Sequence, residues 1–271
     1  MRFFLFKKLL KYWNRPLVAV LLLLLVGCGS ESDPVLEETF ERLYAIQPTA
    51  NITIQNHDGA ILVYGSNTNE MRIEATKKAY SQMGLKEIAI DVSVQPASAS
   101  IIAKLPPKPK WALFDRSGTV DCTIVVPATA NVSQLHLDAG EVLVDGMHGQ
   151  SVHAWLGDGR MFAHNCFTDG DLVLRRGNLT ISYDWWDPGR FAIQADIGQG
   201  NAWALLPSDA AFHLVAETAH GRAASDFDDT SVAPAGSAAA EKIETLVNGG
   251  GQAAIKVRTA NGDVKVVEAN P

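Results

Sequence analysis

From Asn51 onward, apolar and polar positions alternate with a period of two, and glycine interrupts the alternation at intervals. Ile52 and Ile54 precede Asn56-His57-Asp58-Gly59, and Ile61 and Val63 follow it. The arrangement returns as Leu135, Leu137, Gly140, Val142, Val144, and again as Leu172, Leu174, Gly177, Leu179, Ile181. It closes the chain as Ile255, Val257, Asn261-Gly262, Val264, Val266. Alternation of this kind predicts half-buried strands, and the glycine between two such runs marks a turn that needs positive φ. Gly140, Gly159, Gly177, Gly200 and Gly221 are separated by 19, 18, 23 and 21 residues. A spacing near that value, with one glycine turn per unit, predicts a repeat architecture.

Long helical periodicity is absent from this body, so the fold class is all-β. Two architectures satisfy the pattern. In a parallel β-solenoid each strand pairs with the strand one repeat away, and the repeats stack into a coil. In an antiparallel β-sandwich or meander the strands flanking each turn pair with one another. Asn261-Gly262 on its own favours the second arrangement, because Asn-Gly is the strongest two-residue hairpin turn. Periodicity does not choose between them.

Two segments break the alternation. Leu105-Pro106-Pro107-Lys108-Pro109-Lys110 cannot be a central strand, because proline lacks the ladder donor. It divides an expected N-terminal β module, 49–105, from the repeats of 106–271. Residues 226–252 are polar and rich in Ala, Ser and Gly, and are expected as a surface excursion between the last two repeats. Ahead of the body, 28–48 reads as a polar tether with a short helical turn around Glu37 to Tyr44.

The first residues carry Arg2, Lys7, Lys8, Lys11 and Arg15 and no acid, and lead into an apolar run from Leu17 to Val26. A basic start, a short apolar stretch and small residues at its exit form a secretory signal peptide. The run is too short to span a bilayer, which takes about 20 apolar residues. Leu25-Val26-Gly27-Cys28 resembles the lipobox of bacterial lipoproteins. That resemblance implies cleavage after residue 27 and attachment of diacylglycerol, with acyl chains such as palmitate, to Cys28. Gly29 rather than an aspartate follows the cysteine, which by the sorting habit of such lipoproteins implies the outer membrane. Removing the leader takes five of the 23 basic residues and none of the 30 acidic ones, so the mature chain carries −12. That charge argues against nucleic acid and anionic lipid as partners and leaves an envelope protein or a glycan. Cys122 and Cys166 remain. An oxidising envelope permits a disulfide between them, and two buried thiols are the alternative.

From Asn51 to the C-terminus, the segments IQNHDGAILVYG, VVPATANVSQLHLDAGEVLVDG, LLPSDAAFHLVAETAHGRA and GGGQAAIKVRTANGDVKVVEA resemble the putative-adhesin family of bacterial envelope β-repeat proteins. The resemblance implies a right-handed β-solenoid and little about function. The middle repeats depart from the plain pattern at Asn165-Cys166-Phe167 and Asp184-Trp185-Trp186-Asp187, where a bulge is expected.

No nucleophile elbow, His-Glu-x-x-His, paired Cys-x-x-Cys or P-loop is present, and no cofactor or metal is implied. Asp138, Asp158, Asp169, Asp171, Asp184 and Asp187 sit near turns, where Asp is the ordinary partner of Gly. On adjacent coils they could instead make a polysaccharide-cleaving pair. His148, His153 and His164 lack a spacing that puts ligands on one strand face. Trp185 and Trp186 are consecutive, so on an extended strand one points in and the other out. An exposed indole suits sugars and proteins alike, and Trp155 and Trp203 in neighbouring repeats could extend an aromatic strip. The expected function is therefore a non-catalytic envelope lipoprotein presenting a repeat surface for binding or adhesion. The alternatives are a polysaccharide-acting enzyme and a structural or sensory accessory.

Overall fold

Each alternating run forms a strand, and each long strand turns a corner at its glycine without ending. The computed structural model describes residues 34–106, 118–227 and 241–269. The leader, Cys28, Pro107, Pro109 and residues 228–240 of the expected excursion lie outside the described residues. The long strands are β2 (Asn51–Ser66), β7 (Asn131–Asp145), β8 (Ser151–His164) and β9 (Asp169–Ser182). In β2, Ile52 and Ile54 are buried before Gly59, and Ile61 and Val63 after it. The two arms of a strand thus feed one shared core. Each fully buried aliphatic side chain of that core contributes about 1.5–3 kcal/mol.

These strands pair in parallel and in register, with Gly59 opposite Gly140, Gly140 opposite Gly159, and Gly159 opposite Gly177. Later rungs are split at the glycine into two strands. They are β10 (Ala192–Gln199) with β11 (Ala202–Leu206), β12 (Phe212–His220) with β13 (Ala223–Ser225), and β15 (Ala253–Asn261) with β16 (Val264–Glu268). At the other end, β5 (Ser98–Lys104) pairs with the first arm of β2 and β6 (Thr119–Pro127) with its second. The result is one large mixed sheet.

Two sequence expectations meet a different outcome here. Asn261-Gly262 makes no hairpin: β15 pairs with β10 and β12, and β16 with β11 and β13. The last repeat in sequence is also not last in space, because β15 and β16 insert between the rungs of Gly200 and Gly221.

The glycines form a column. A Cβ on Gly159, whose φ is +142°, would fall on the carbonyl oxygen of Gly140, closer than any non-bonded contact permits. The same holds for Gly140 over Gly59, Gly177 over Gly159, Gly200 over Gly177, Gly262 over Gly200 and Gly221 over Gly262. Adjacent rungs therefore approach to ladder distance at the corner only because no side chain stands between them. Near the ends of the column, the residue three before the glycine is polar and buried. Thr218 Oγ1 donates to Gly262 O (2.8 Å), Thr259 Oγ1 to Gly200 O (3.1 Å), and Asn56 Nδ2 to Val120 O (2.7 Å). In the middle rungs that place holds Leu137, Leu156, Leu174 and Ile197, all buried.

Antiparallel strands occur at the margins. β1 (Leu36–Ala45) pairs with β3 (Glu70–Ala79), and β3 with β6. A six-residue helix, α1 (Gln82–Glu87), leads to β4 (Ala89–Gln95), which pairs with β5. β14 (Lys242–Val247) pairs with β12. The expected helical turn at Glu37 to Tyr44 is therefore a strand, with Lys77 Nζ 2.9 Å from Glu38 Oε1. The expected tether is part of the body from Leu36 onward, and the end of the expected excursion is the edge strand β14. Nor does a seam separate 49–105 from the repeats, because β2 lies between β6 and β7 within the sheet. Among the described residues no helix is long and apolar enough to cross a membrane.

Gly159→Ala is expected to cost at least about 3 kcal/mol of folding stability, from backbone strain and displacement of the adjoining rung. Gly189, with nothing within 4 Å of its would-be Cβ, is the control, and Gly189→Ala is expected to change stability by less than about 0.5 kcal/mol. Urea unfolding of both variants checks this, and equal midpoints would contradict the column.

Candidate binding face on the first arm

Because every rung is aligned on its glycine, outward positions form straight rows across the sheet. Four residues before the glycine, the register places Gln55, His136, Trp155, Val173, Asp196, Arg258 and Glu217 side by side. Two residues before it stand His57, Asp138, Gly157, Arg175, Gly198, Ala260 and Ala219. Large side chains of the first row lie beside Gly198, Ala260 and Ala219 of the second. The difference in size leaves an open depression of about 630 Å³, lined by these residues together with Trp155 and Arg175. That volume is within the ordinary range of ligand sites, about 300–1,000 Å³.

Trp155 is fixed from one side. His136 stacks on its ring at 4.2 Å between centroids and 8° between planes. Asp138 holds His136 in turn, with Oδ1 3.0 Å from Nε2, and its Oδ2 is 2.6 Å from Nδ1 of His57. Partial burial pushes the Asp138 carboxyl up, but the two histidine hydrogen bonds outweigh it and hold the group below the usual aspartate range. A Cβ on Gly157 would stand 3.2 Å from Trp155 Cη2, so the small residue leaves room for the indole. The opposite ring face looks along the rungs toward Val173 and the depression.

The far wall is charged. Arg258 Nε lies 3.3 Å from Glu217 Oε2, but it is buried and out of line for a hydrogen bond, and no other acceptor among the described residues meets it. Asp196 accepts from Gln194 Nε2 at 2.8 Å. Arg175 contacts Asp158 on the neighbouring rung, and Arg176 Nε is 2.7 Å from the same carboxylate.

The four candidate tryptophans do not form one strip. Trp155 stands four residues before its glycine and Trp203 three after, so the corner separates them, and Trp203 lies between Thr180 and Lys265 on the second arm. Trp185 and Trp186 lie in the bend after β9. Trp185 is 51% exposed and leans on Phe167, while Trp186 packs against Tyr183, Phe191 and Phe212 with centroids 5.5 Å away. One indole in and one out is the expected outcome, although these residues are not in a strand.

The aspartates near turns have separate partners. Asp158 faces the two arginines, Asp169 accepts from the Ala192 amide at 2.9 Å, and Asp171 is 3.8 Å from His153. His164 sits between Asp145 (Nδ1 to Oδ1, 3.0 Å) and Asp184 (Nε2 to Oδ2, 3.1 Å). His148 stacks on Phe167. Among the described residues no group of three or more His, Cys, Asp or Glu is placed to hold a metal.

The disulfide considered for Cys122 and Cys166 is not formed; both are buried free thiols. Cys122 lies on β6 and Cys166 just past β8, and β2 and β7 intervene. Three ladder steps amount to about 14 Å, twice the reach of about 7 Å between bridged Cα atoms. Burial pushes both thiols up to about 12.

No protein-family model matches the chain, and no curated protein is similar to it in sequence. Among solved structures, a putative cell adhesion protein from Clostridium sporogenes matches over 86% of this chain and 100% of its own, at 12% identity and a TM-score of 0.53. A putative adhesin from Bacteroides fragilis matches over 85% and 97%, at 11% identity and a TM-score of 0.30. A putative lipid binding protein from Parabacteroides distasonis matches over 85% and 97%, at 10% identity and a TM-score of 0.23. The first of these likenesses shows a shared fold.

Two outcomes are expected. Peptide mapping after alkylation of the native protein should find Cys122 and Cys166 unmodified, and find both labelled once urea is added; a bridged peptide pair would contradict the structure. Asp184 is held below its ordinary range by hydrogen bonds from His164 and Asn165. A depressed folded pKa contributes stability above the unfolded value of about 3.9, and that contribution is lost as pH falls through the folded value. Asp184→Asn should therefore lower the melting temperature at neutral pH and lose its effect as the pH falls through the folded value. A difference that persists unchanged in acid would assign the loss to something other than this ionised contact.

Proposed function

We propose that this chain is a non-catalytic, lipid-anchored protein of the bacterial envelope, with a right-handed parallel β-solenoid body that binds through its first-arm face. The in-register parallel rungs, stacked one repeat apart from Gly140 to Gly200, support the solenoid reading. The observation that carries the binding reading is the depression bordered by Trp155: it lies on an exposed face whose outward side chains are free of core packing and whose backbone is held by ladders on both sides. The fold it shares with a putative cell adhesion protein agrees with a role in attachment.

In this reading residues 1–27 are removed and Cys28 carries the lipid. Each buried methylene contributes about 0.8 kcal/mol, so two or three acyl chains make a stable tether where one would not. Gly29 directs the product to the outer membrane. A mature charge of −12 keeps the body off anionic headgroups and leaves an envelope protein or a glycan as the partner.

Palmitate fed to cells expressing the chain should label it, and Cys28→Ala should abolish the label. The labelled mature protein should also bind isolated cell envelopes saturably, in competition with unlabelled protein. Absence of saturable binding to envelopes would end the binding reading, and label retained in Cys28→Ala would end the anchor.

A further inference from the structure

The geometry points to a specific ligand class for the depression beside Trp155: a neutral oligosaccharide, with one sugar ring stacked on the free indole face. The inference rests on the binding reading above and adds the chemistry of the ligand.

The first argument is the indole. Its ring is locked by His136 on one face and lines the depression with the other. A rigid, half-buried aromatic face attracts the slightly positive C–H face of a pyranose and pays little entropy on binding, because its rotamer is already set. The second is the rim. Hydroxyls both donate and accept, and the rim offers both partners side by side: Asp196 and Glu217 accept, while Arg258 and Arg175 donate. The third is charge. Two arginines and two carboxylates cancel within the site, and the mature body carries −12, which opposes a polyanionic sugar. The fourth is length. From Trp155 on β8 to Glu217 on β12 the depression crosses four ladder steps, about 19 Å, which suits several linked rings. A peptide strand would find no free backbone here, because the rungs beneath are paired on both sides.

The test uses the full chain in a detergent without a sugar headgroup, titrated calorimetrically with chitotriose, maltotriose and cellotriose, and with trigalacturonate as the anionic comparison. At least one neutral trisaccharide should bind with a dissociation constant of about 1 mM or tighter. Trp155→Ala should weaken it by at least about tenfold, and Trp155→Phe by less. Ala219→Phe fills the floor from an exposed position without touching the core and should give the same loss, which keeps the test decisive if Trp155→Ala misfolds. Trp185→Ala, on the bend after β9, should leave the affinity unchanged. Absence of binding by all three neutral sugars, preference for trigalacturonate, or binding indifferent to both Trp155→Ala and Ala219→Phe would overturn the assignment. If envelopes still bind while the sugars do not, only the ligand class falls; if envelopes do not bind either, the binding reading falls with it.

Discussion

Two backbones cannot lie at ladder distance at a sharp corner if a side chain stands between them, and in this protein that constraint is met by glycine stacked on glycine. Gly59, Gly140, Gly159, Gly177, Gly200, Gly262 and Gly221 follow one another across the sheet, each with its missing Cβ over the carbonyl of the neighbour. The corner lets one strand contribute two arms to a single core. Without it each rung would be a flat strand, with one apolar face left in water. Polar side chains complete the arrangement where apolar packing thins toward the ends of the column, as Thr218 and Thr259 do by donating to the stacked glycine carbonyls.

The column also acts as a ruler for the surface. Because register is counted from the corner, a residue's distance from its glycine decides both its arm and its face. Trp155 and Trp203 differ in that offset and so cannot share a surface, although only the Gly177 rung lies between their repeats. His136, Trp155 and Asp196 share the offset and become a row. The candidate site is a consequence of this rule: bulky residues four places before the glycine, small ones two places before it, and a concavity between them. His57, Asp138 and His136 then fix the ring that borders it.

Much of the architecture was legible in the alternation. The buried arms of β2, β7, β9, β15 and β16 are the residues whose spacing of two marks them as inward, and the spaced glycines are the corners. What was not legible depended on partners distant in sequence. Leu36, Phe40 and Tyr44 recur every four residues, which satisfies a helix face and also one side of a strand. The antiparallel ladder with β3, in which Lys77 and Lys78 face Glu38 and Glu37, decides for the strand. Asn261-Gly262 carries a strong local hairpin preference, but in a hairpin β15 and β16 would each leave one edge without the ladder partner that it has here. Insertion satisfies both edges at once, so tertiary pairing outweighs the turn. Beyond Trp155, the site was missed for the same reason. Its residues span Trp155 to Ala260 and converge only once rungs are aligned on their glycines rather than read in order along the chain.

The inserted rung also explains how the far wall of the depression is stable. Were the rungs stacked in sequence order, Asp196 would face Glu217 directly across a ladder, and like charges opposite one another in a sheet are destabilising. Insertion of β15 puts Arg258 between them, in register with Asp196 on one side and Glu217 on the other. A cation between two carboxylates converts a repulsive pair into a compensated row and brings Ala260 to the floor beside it. The departure from sequential stacking therefore completes the ladder between the Gly200 and Gly221 rungs and assembles the polar wall of the site with the same strand.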